Sequence, residues 1–220
     1  MIAREGNRPA RLSLASLTGP GPGPIGMSPT IRTVIVAVIA LSASIPALAF
    51  DEAQRQQLLD TKACEGCDLR DAGLSNENLL SASLGGANLT NADLGGANLK
   101  YADLRGTILR GSNLQGTNLY SANLEGAVLD QADLGGADLR GAKLTNVTLR
   151  GADLHGVDLT RADLWYVDLT DANLRGADLT NADLSRGVLI GADLTGAILS
   201  RTIWIDGTRC GDGSIGLCSH

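Results

Sequence analysis

The sequence predicts an all-β solenoid, a chain wound four-sidedly around a narrow leucine interior. Three observations carry this expectation. Leucine occupies every fifth position from Leu69 to Leu199, 27 in succession. Two positions before the leucine stands a small residue, usually alanine, and one position before it Asp or Asn in most units, as in Ala87-Asn88-Leu89-Thr90-Asn91-Ala92-Asp93-Leu94. Stacked at a period of 20, the sequence aligns Ala82, Ala102, Ala122, Ala142, Ala162 and Ala182 without a break.

A fixed short period is the signature of a repeat architecture. On an α-helix, steps of five residues advance about 140°, so the leucines would define no face. In a flat strand an odd step puts successive leucines on opposite sides. The small residue and the leucine, two apart, do share one side of an extended chain. All units face a common interior only if the chain turns the same way once per unit. Four corners of about 90° close a coil of about 20 residues; three close one of about 15. At period 15 the inward columns are broken by Thr107, Ser112 or Thr117. At period 20 a second column is all glycine, Gly96, Gly116, Gly136, Gly156, Gly176 and Gly196. The four-sided coil is therefore expected, with about seven turns spaced about 4.8 Å apart.

These residues resemble the pentapeptide-repeat family, whose consensus is A(D/N)LXX. The resemblance covers about two thirds of the chain and implies a right-handed quadrilateral β-helix. The chain departs from the family in one respect: the central position is never Phe, so the interior is expected to be uniform and narrow. Some exported members carry an opening similar to Leu58-Leu59-Asp60-Thr61-Lys62-Ala63-Cys64-Glu65-Gly66-Cys67-Asp68-Leu69.

Four segments are expected. Residues 1–49 hold an upstream stretch and a secretory signal: Arg32 supplies the positive start, Val34 to Leu41 the apolar run, and Ala47-Leu48-Ala49 a small-residue cleavage site. The apolar run is too short for a stable membrane anchor. The run Gly19-Pro20-Gly21-Pro22-Gly23-Pro24 suits no signal, so Met27 is the expected start of translation. Residues 50–66 form an N-terminal cap with a short helix, acid-rich at Asp51 and Glu52. Residues 67–204 form the β-helix, with Trp204 in place of the next leucine as a plug. Residues 205–220 form a C-terminal cysteine loop, opened by the turn signal Asp206-Gly207.

Four cysteines in an exported chain suggest disulfides. Cys64/Cys67 and Cys210/Cys218 stand at opposite ends of a coil about 34 Å long at about 4.8 Å per turn, whereas a disulfide needs Cα atoms within about 7 Å. The expected pairs are Cys64–Cys67 and Cys210–Cys218, and the same distance excludes a four-cysteine zinc site. Cys64-Glu65-Gly66-Cys67 is also a C-x-x-C, but redox motifs precede a helix in a βαβ setting, and this one leads into the coil.

No cofactor is expected. His155 is isolated and His220 is the last residue, and no Ser/His/Asp set, phosphate loop or metal-ligand helix is present. Stacked Asp138, Asp158 and Asp178 would repel one another, raise their pKa values or invite a cation. Alternatively, with Asn78, Asn98 and Asn118 in the same column, they hydrogen-bond the corner backbone. Between Asp68 and Trp204 the 17 acidic and 11 basic residues are mixed on every side.

Two outward features are candidate contact surfaces. In one column the residue before leucine reads Asp68, Asn88, Ile108, Val128, Thr148, Asp168, Val188. Ile108, Val128, Thr148 and Val188 make it partly apolar, beside an alternating ladder of Arg110, Asp130 and Arg150. The stripe is either flat β structure favouring branched residues or a contact surface. Tyr101 and Tyr120, on adjacent coils, should touch; Trp165 and Tyr166 share a corner. Exposed aromatics are frequent in binding hot spots. The function expected is a non-enzymatic exported scaffold that presents flat faces to another protein, with a second copy of the chain as an alternative partner. Neither nucleic acid nor, after signal cleavage, membrane is expected as a partner. The competing class is a DNA-mimicking inhibitor of gyrase or topoisomerase, which the resemblance implies for some cytoplasmic members. The signal segment, the mild acidity and the cysteine loop argue against it.

Overall fold

The computed structural model describes residues 51–219. The signal segment, Met27, the glycine–proline run and His220 lie outside them. Within the described residues the chain is a β-solenoid. From Ala63 onward every bridging residue pairs in parallel with the residue 20 positions later, through Asp183 with Ile203. Four five-residue units therefore make each turn. The bonding is regular: Asn88 donates its N–H to Cys67 O (2.8 Å) and accepts at its carbonyl from Leu69 N–H (2.8 Å). Every later coil repeats that exchange until the last.

The interior is leucine faced by alanine. From Leu69 to Leu184 each leucine of the series is at most 1% exposed. Burying each contributes roughly 1.5–3 kcal/mol relative to exposure, and ordering entropy offsets much of it. The polar interruptions of the alanine columns are satisfied internally. Thr107 Oγ1 donates to Leu104 O (2.7 Å), Ser112 Oγ to Leu109 O (2.8 Å) and Thr117 Oγ1 to Leu94 O (2.8 Å).

Corners explain the other periodicity. The second residue after each leucine takes a left-handed conformation, as at Gly96 (φ +67°) and Asp71 (φ +58°). L-residues reach it only at a cost of roughly 1–2 kcal/mol, glycine at none. That is why glycine, with Asn and Asp, recurs at this position. The turn closes as the next small residue donates back to the leucine carbonyl, Ala97 N–H to Leu94 O at 2.9 Å.

Among the described residues one helix, α1 (Glu52–Thr61), precedes the coils. Asp51 caps it by accepting from Ala53 N–H (3.0 Å), and Leu58 is fully buried. Its side chains finish the edge of the first coil, beneath which no other coil lies among the described residues. Gln54 Oε1 accepts from Asp68 N–H (2.6 Å), and Arg55 Nε donates to Gly73 O (2.8 Å). The small-residue pattern fails here at one position, since Glu77 occupies an alanine place. It is tolerated because it lies half-exposed at the open end, 3.8 Å from the Arg55 guanidinium.

Cysteine pairs stand at both ends. Cys64 is joined to Cys67, with Cα atoms 5.3 Å apart, and Cys210 to Cys218 at 4.9 Å. Trp204 is partly buried against the last leucines.

Candidate interaction surface

With the interior uniform, chemical individuality lies outward, and the 20-residue period fixes which outward residues are neighbours. One side carries Asp103, Asn123, Lys143, Asp163 and Asp183, bridged in that order. Tyr101, Tyr120, Arg140 and Arg161 lie at the corner entering this side; Trp165, Tyr166 and Arg186 lie at the corner leaving it. The next side carries Ile108, Val128, Thr148, Asp168 and Val188. The aromatic pairs therefore border one face, and the branched stripe continues beyond its far corner.

The Tyr101 and Tyr120 rings meet edge to face at 5.9 Å between centroids. Lys100 Nζ sits 4.9 Å from the first ring and 4.7 Å from the second, and the Arg140 guanidinium lies 5.5 Å from Tyr120 on the opposite coil. These cation–π contacts, each about 0.5–1 kcal/mol at exposed sites, were not anticipated. Lys100, Tyr120 and Arg140 are 20 apart, so the period could have shown them. Above them a depression of about 310 Å³ is lined by Tyr120, Arg140, Thr160, Arg161 and Asn181. Trp165 and Tyr166 pack at 4.3 Å with Arg186 5.8 Å from the tyrosine ring. A wider depression of about 430 Å³ runs across the face from Arg161 to Trp165, between Asp163 and Asp183. Tyr101 (φ +61°) and Tyr166 (φ +57°) occupy left-handed corner positions. Bulky residues are strained there, as are the other non-glycine residues at the corners of the coil.

The branched stripe is less open. Ile108 and Val188 are exposed, whereas Val128 and Thr148 are half-buried. Thr148 Oγ1 is buried without a hydrogen-bond partner among the described residues. The flanking charges only partly form the alternating ladder. Arg110 pairs with Asp130 (3.2 Å), but Arg150 reaches Asp168 on the following coil (2.6 Å) and gives Asp130 only its backbone N–H. Asp168 lies 18 residues on, nearly one full turn, within reach of the long arginine side chain.

The stacked carboxylates do corner work. Asp138 Oδ1 accepts from Arg140 N–H (3.1 Å), Asp158 Oδ1 from Thr160 N–H (3.0 Å) and Asp178 Oδ1 from Thr180 N–H (2.9 Å). Mutual repulsion does not raise Asp138. Its two-point hydrogen bond from the Arg140 side chain holds its carboxyl below the usual range, against the effect of burial. The same Asp-Leu-Arg clamp recurs at Asp68/Arg70 and Asp103/Arg105, with the same direction of shift. No cluster of three or more potential metal ligands occurs among the described residues. His155 spends Nδ1 on Asp153 at 3.0 Å.

Comparison with known proteins finds similar chains. A pentapeptide repeat protein from the Arabidopsis thaliana thylakoid lumen is 33% identical over 45% of this chain and 69% of its own, with a TM-score of 0.44. HetL, a pentapeptide repeat protein involved in heterocyst differentiation regulation from the cyanobacterium Nostoc, is 28% identical over 72% of this chain and 98% of its own, with a TM-score of 0.36. Rfr23, a pentapeptide repeat protein from the cyanobacterium Cyanothece, is 27% identical over 70% and 99%, with a TM-score of 0.27. No curated protein matches the chain. The family description "Pentapeptide repeats" matches in eight copies, over overlapping stretches that run from residue 64 to residue 201. The chain belongs to the pentapeptide-repeat family.

Proposed function

We propose that the protein is an exported, non-enzymatic scaffold whose outward side chains bind another protein. In this reading the coil is right-handed, makes about seven turns between Ala63 and Ile203, and is capped at its N-terminal end by α1. The observation that carries the reading is the face bounded by Tyr101/Tyr120 and Trp165/Tyr166. It joins exposed aromatics, cations and shallow depressions on a rigid backbone, the composition of a binding hot spot. The paired cysteines at both ends support an oxidising compartment, and the small-residue run Ala47-Leu48-Ala49 supports export with cleavage after Ala49. Ile108, Val128, Thr148 and Val188 would extend the contact around the corner. A rigid coil would bind with little rearrangement, so specificity would reside in side chains alone.

The test is photo-crosslinking in the cell envelope from a probe at Asn123, on the proposed face, compared with a probe at Asn173 on the opposite half of the coil. Adducts from Asn123 alone, abolished by Tyr120→Ala with Trp165→Ala while the melting temperature holds, are expected. Equal adducts from both probes, or adducts indifferent to the aromatic changes, would contradict the reading.

A further inference from the structure

The C-terminal end of the coil is finished on two of its four sides. There the last segment adds one antiparallel strand to each, bridging Ile198 with Ile215 and Ile203 with Arg209. Leu199 N–H donates to Ser214 O (2.8 Å) and Gly216 N–H to Ala197 O (2.8 Å); Trp204 N–H donates to Thr208 O (2.7 Å) and Cys210 N–H to Thr202 O (2.9 Å). On the other two sides the N–H groups of Leu189, Gly191, Leu194 and Gly196 and the carbonyls of Gly187 and Ala192 have no hydrogen-bond partner among the described residues. One coil below, every equivalent group is paired. Leu169 N–H donates to Val188 O, Asp171 to Ile190 O, Leu174 to Asp193 O and Gly176 to Thr195 O, while Val167 O and Ala172 O accept from Val188 and Asp193.

The apolar packing ends at the same place. Leu189, Ala192 and Leu194 are only partly buried, unlike the leucines and alanines of the coils beneath, and Ile190 stands 73% exposed at the rim. An unpaired sheet edge over partly uncovered leucine is a template for another strand.

We infer that this ledge takes an extended segment of another protein by antiparallel strand addition, with aliphatic residues at alternate positions and an acidic residue near one end. The inference rests on the scaffold reading but uses a different surface. Its pairing would copy what the chain already does on the two finished sides. A backbone carbonyl would accept from Leu189 N–H and a backbone N–H would donate to Gly187 O, placing one partner residue opposite Val188. Alternate side chains would then cover Leu189 and Leu194.

The depth of the ledge selects a single strand over a second copy. The finished sides rise one strand, about 4.8 Å, above the unfinished ones. A twofold pairing of two Val188 edges would map the opposite, Ile198 side onto itself. Two capping strands would then have to fit there, needing about 14 Å where the Val188 side allows about 5 Å. A single strand completes the layer without that collision. The charge preference follows from the edge itself, which offers four N–H donors against two carbonyls. Arg186, just before Gly187, and Arg209, on the adjoining capping strand, form no ion pair among the described residues.

The test selects decapeptides from a displayed random library against the full-length chain and maps the winners by amide resonance shifts and hydrogen exchange. Enriched peptides are expected to alternate aliphatic residues and to carry Asp or Glu. They should shift and protect the Leu189, Gly191, Leu194 and Gly196 amides. They should bind at least tenfold more weakly when N-methylated at the residue that donates to Gly187 O, and several-fold more weakly to Arg186→Glu. Enrichment of peptides that perturb other residues, or of none, would overturn the inference. So would protection of those four amides in the isolated chain, or a dimer in sedimentation, since the ledge would then already be filled. The amide readout and the N-methyl effect are confined to residues 187–196, so they stand apart from the fate of the aromatic face, which Arg186 also borders.

Discussion

At the scale of single residues, the corner position sets a conformational rule that side chains obey at different cost. The Arg161 (φ +62°) side chain makes no hydrogen bond or ion pair among the described residues. Arg161→Gly should therefore release left-handed strain and stabilise the coil by roughly 1 kcal/mol, raising the melting temperature by about 2–4 °C. Thr148→Val should be neutral or stabilising, because it removes a buried hydroxyl that lacks a partner while keeping the shape. A loss above about 1 kcal/mol in chemical denaturation would mean that the hydroxyl is satisfied in solution. The clamped aspartates add a pH dependence. Hydrogen bonds from Thr195 and then Arg175 hold the Asp193 carboxyl down at about 2, and arginine clamps lower Asp68, Asp103 and Asp138. Groups depressed in the folded state stabilise it above their unfolded pKa of about 3.9 and lose that contribution as pH falls through the folded value. Melting temperature should thus be level from about pH 7 to 5 and decline from about 4 towards 2. A rise on acidification over that window would contradict the sign.

At the scale of elements, the two ends of the coil are finished by different means. The first edge is met by side chains of α1, through Gln54 and Arg55, whereas the last is half covered by backbone strands. Gln54→Ala should leave Asp68 N–H without an acceptor, costing about 1–3 kcal/mol if the amide stays buried. Hydrogen exchange should then quicken at Asp68 and stay unchanged at Leu134. The coils were legible in the sequence because one rule, leucine every fifth residue, is applied 27 times, with a small or branched partner in every unit but that of Glu77. The ends were not, because the rule lapses there. Glu77 in an alanine place makes sense only with Arg55 above it, and nothing after Leu199 says which sides the closing segment covers. The outward contacts were half legible. The period brings Tyr101 and Tyr120 onto adjacent coils, yet Lys100 between the rings and Arg150 reaching Asp168 depend on side-chain directions that spacing does not set.

At the scale of the whole repeat domain, the proposed reading assigns stability and recognition to separate residues. Stacking couples each coil to its neighbours, so the leucine interior acts as one cooperative column. Outward residues face solvent and, in the proposed reading, a partner. Melting temperatures of Leu134→Asp and Arg140→Ala, compared with the unaltered chain, test this division most directly. Leu134 is fully buried, and an unpaired carboxylate there should cost more than about 4 kcal/mol. Arg140 is half-exposed, and removing its clamp and ring contact should leave the melting temperature nearly unchanged, because exposed ion pairs are screened by solvent. A severe loss for Leu134→Asp beside a near-unchanged Arg140→Ala is the expected result. Equal melting temperatures for the two variants would contradict the account.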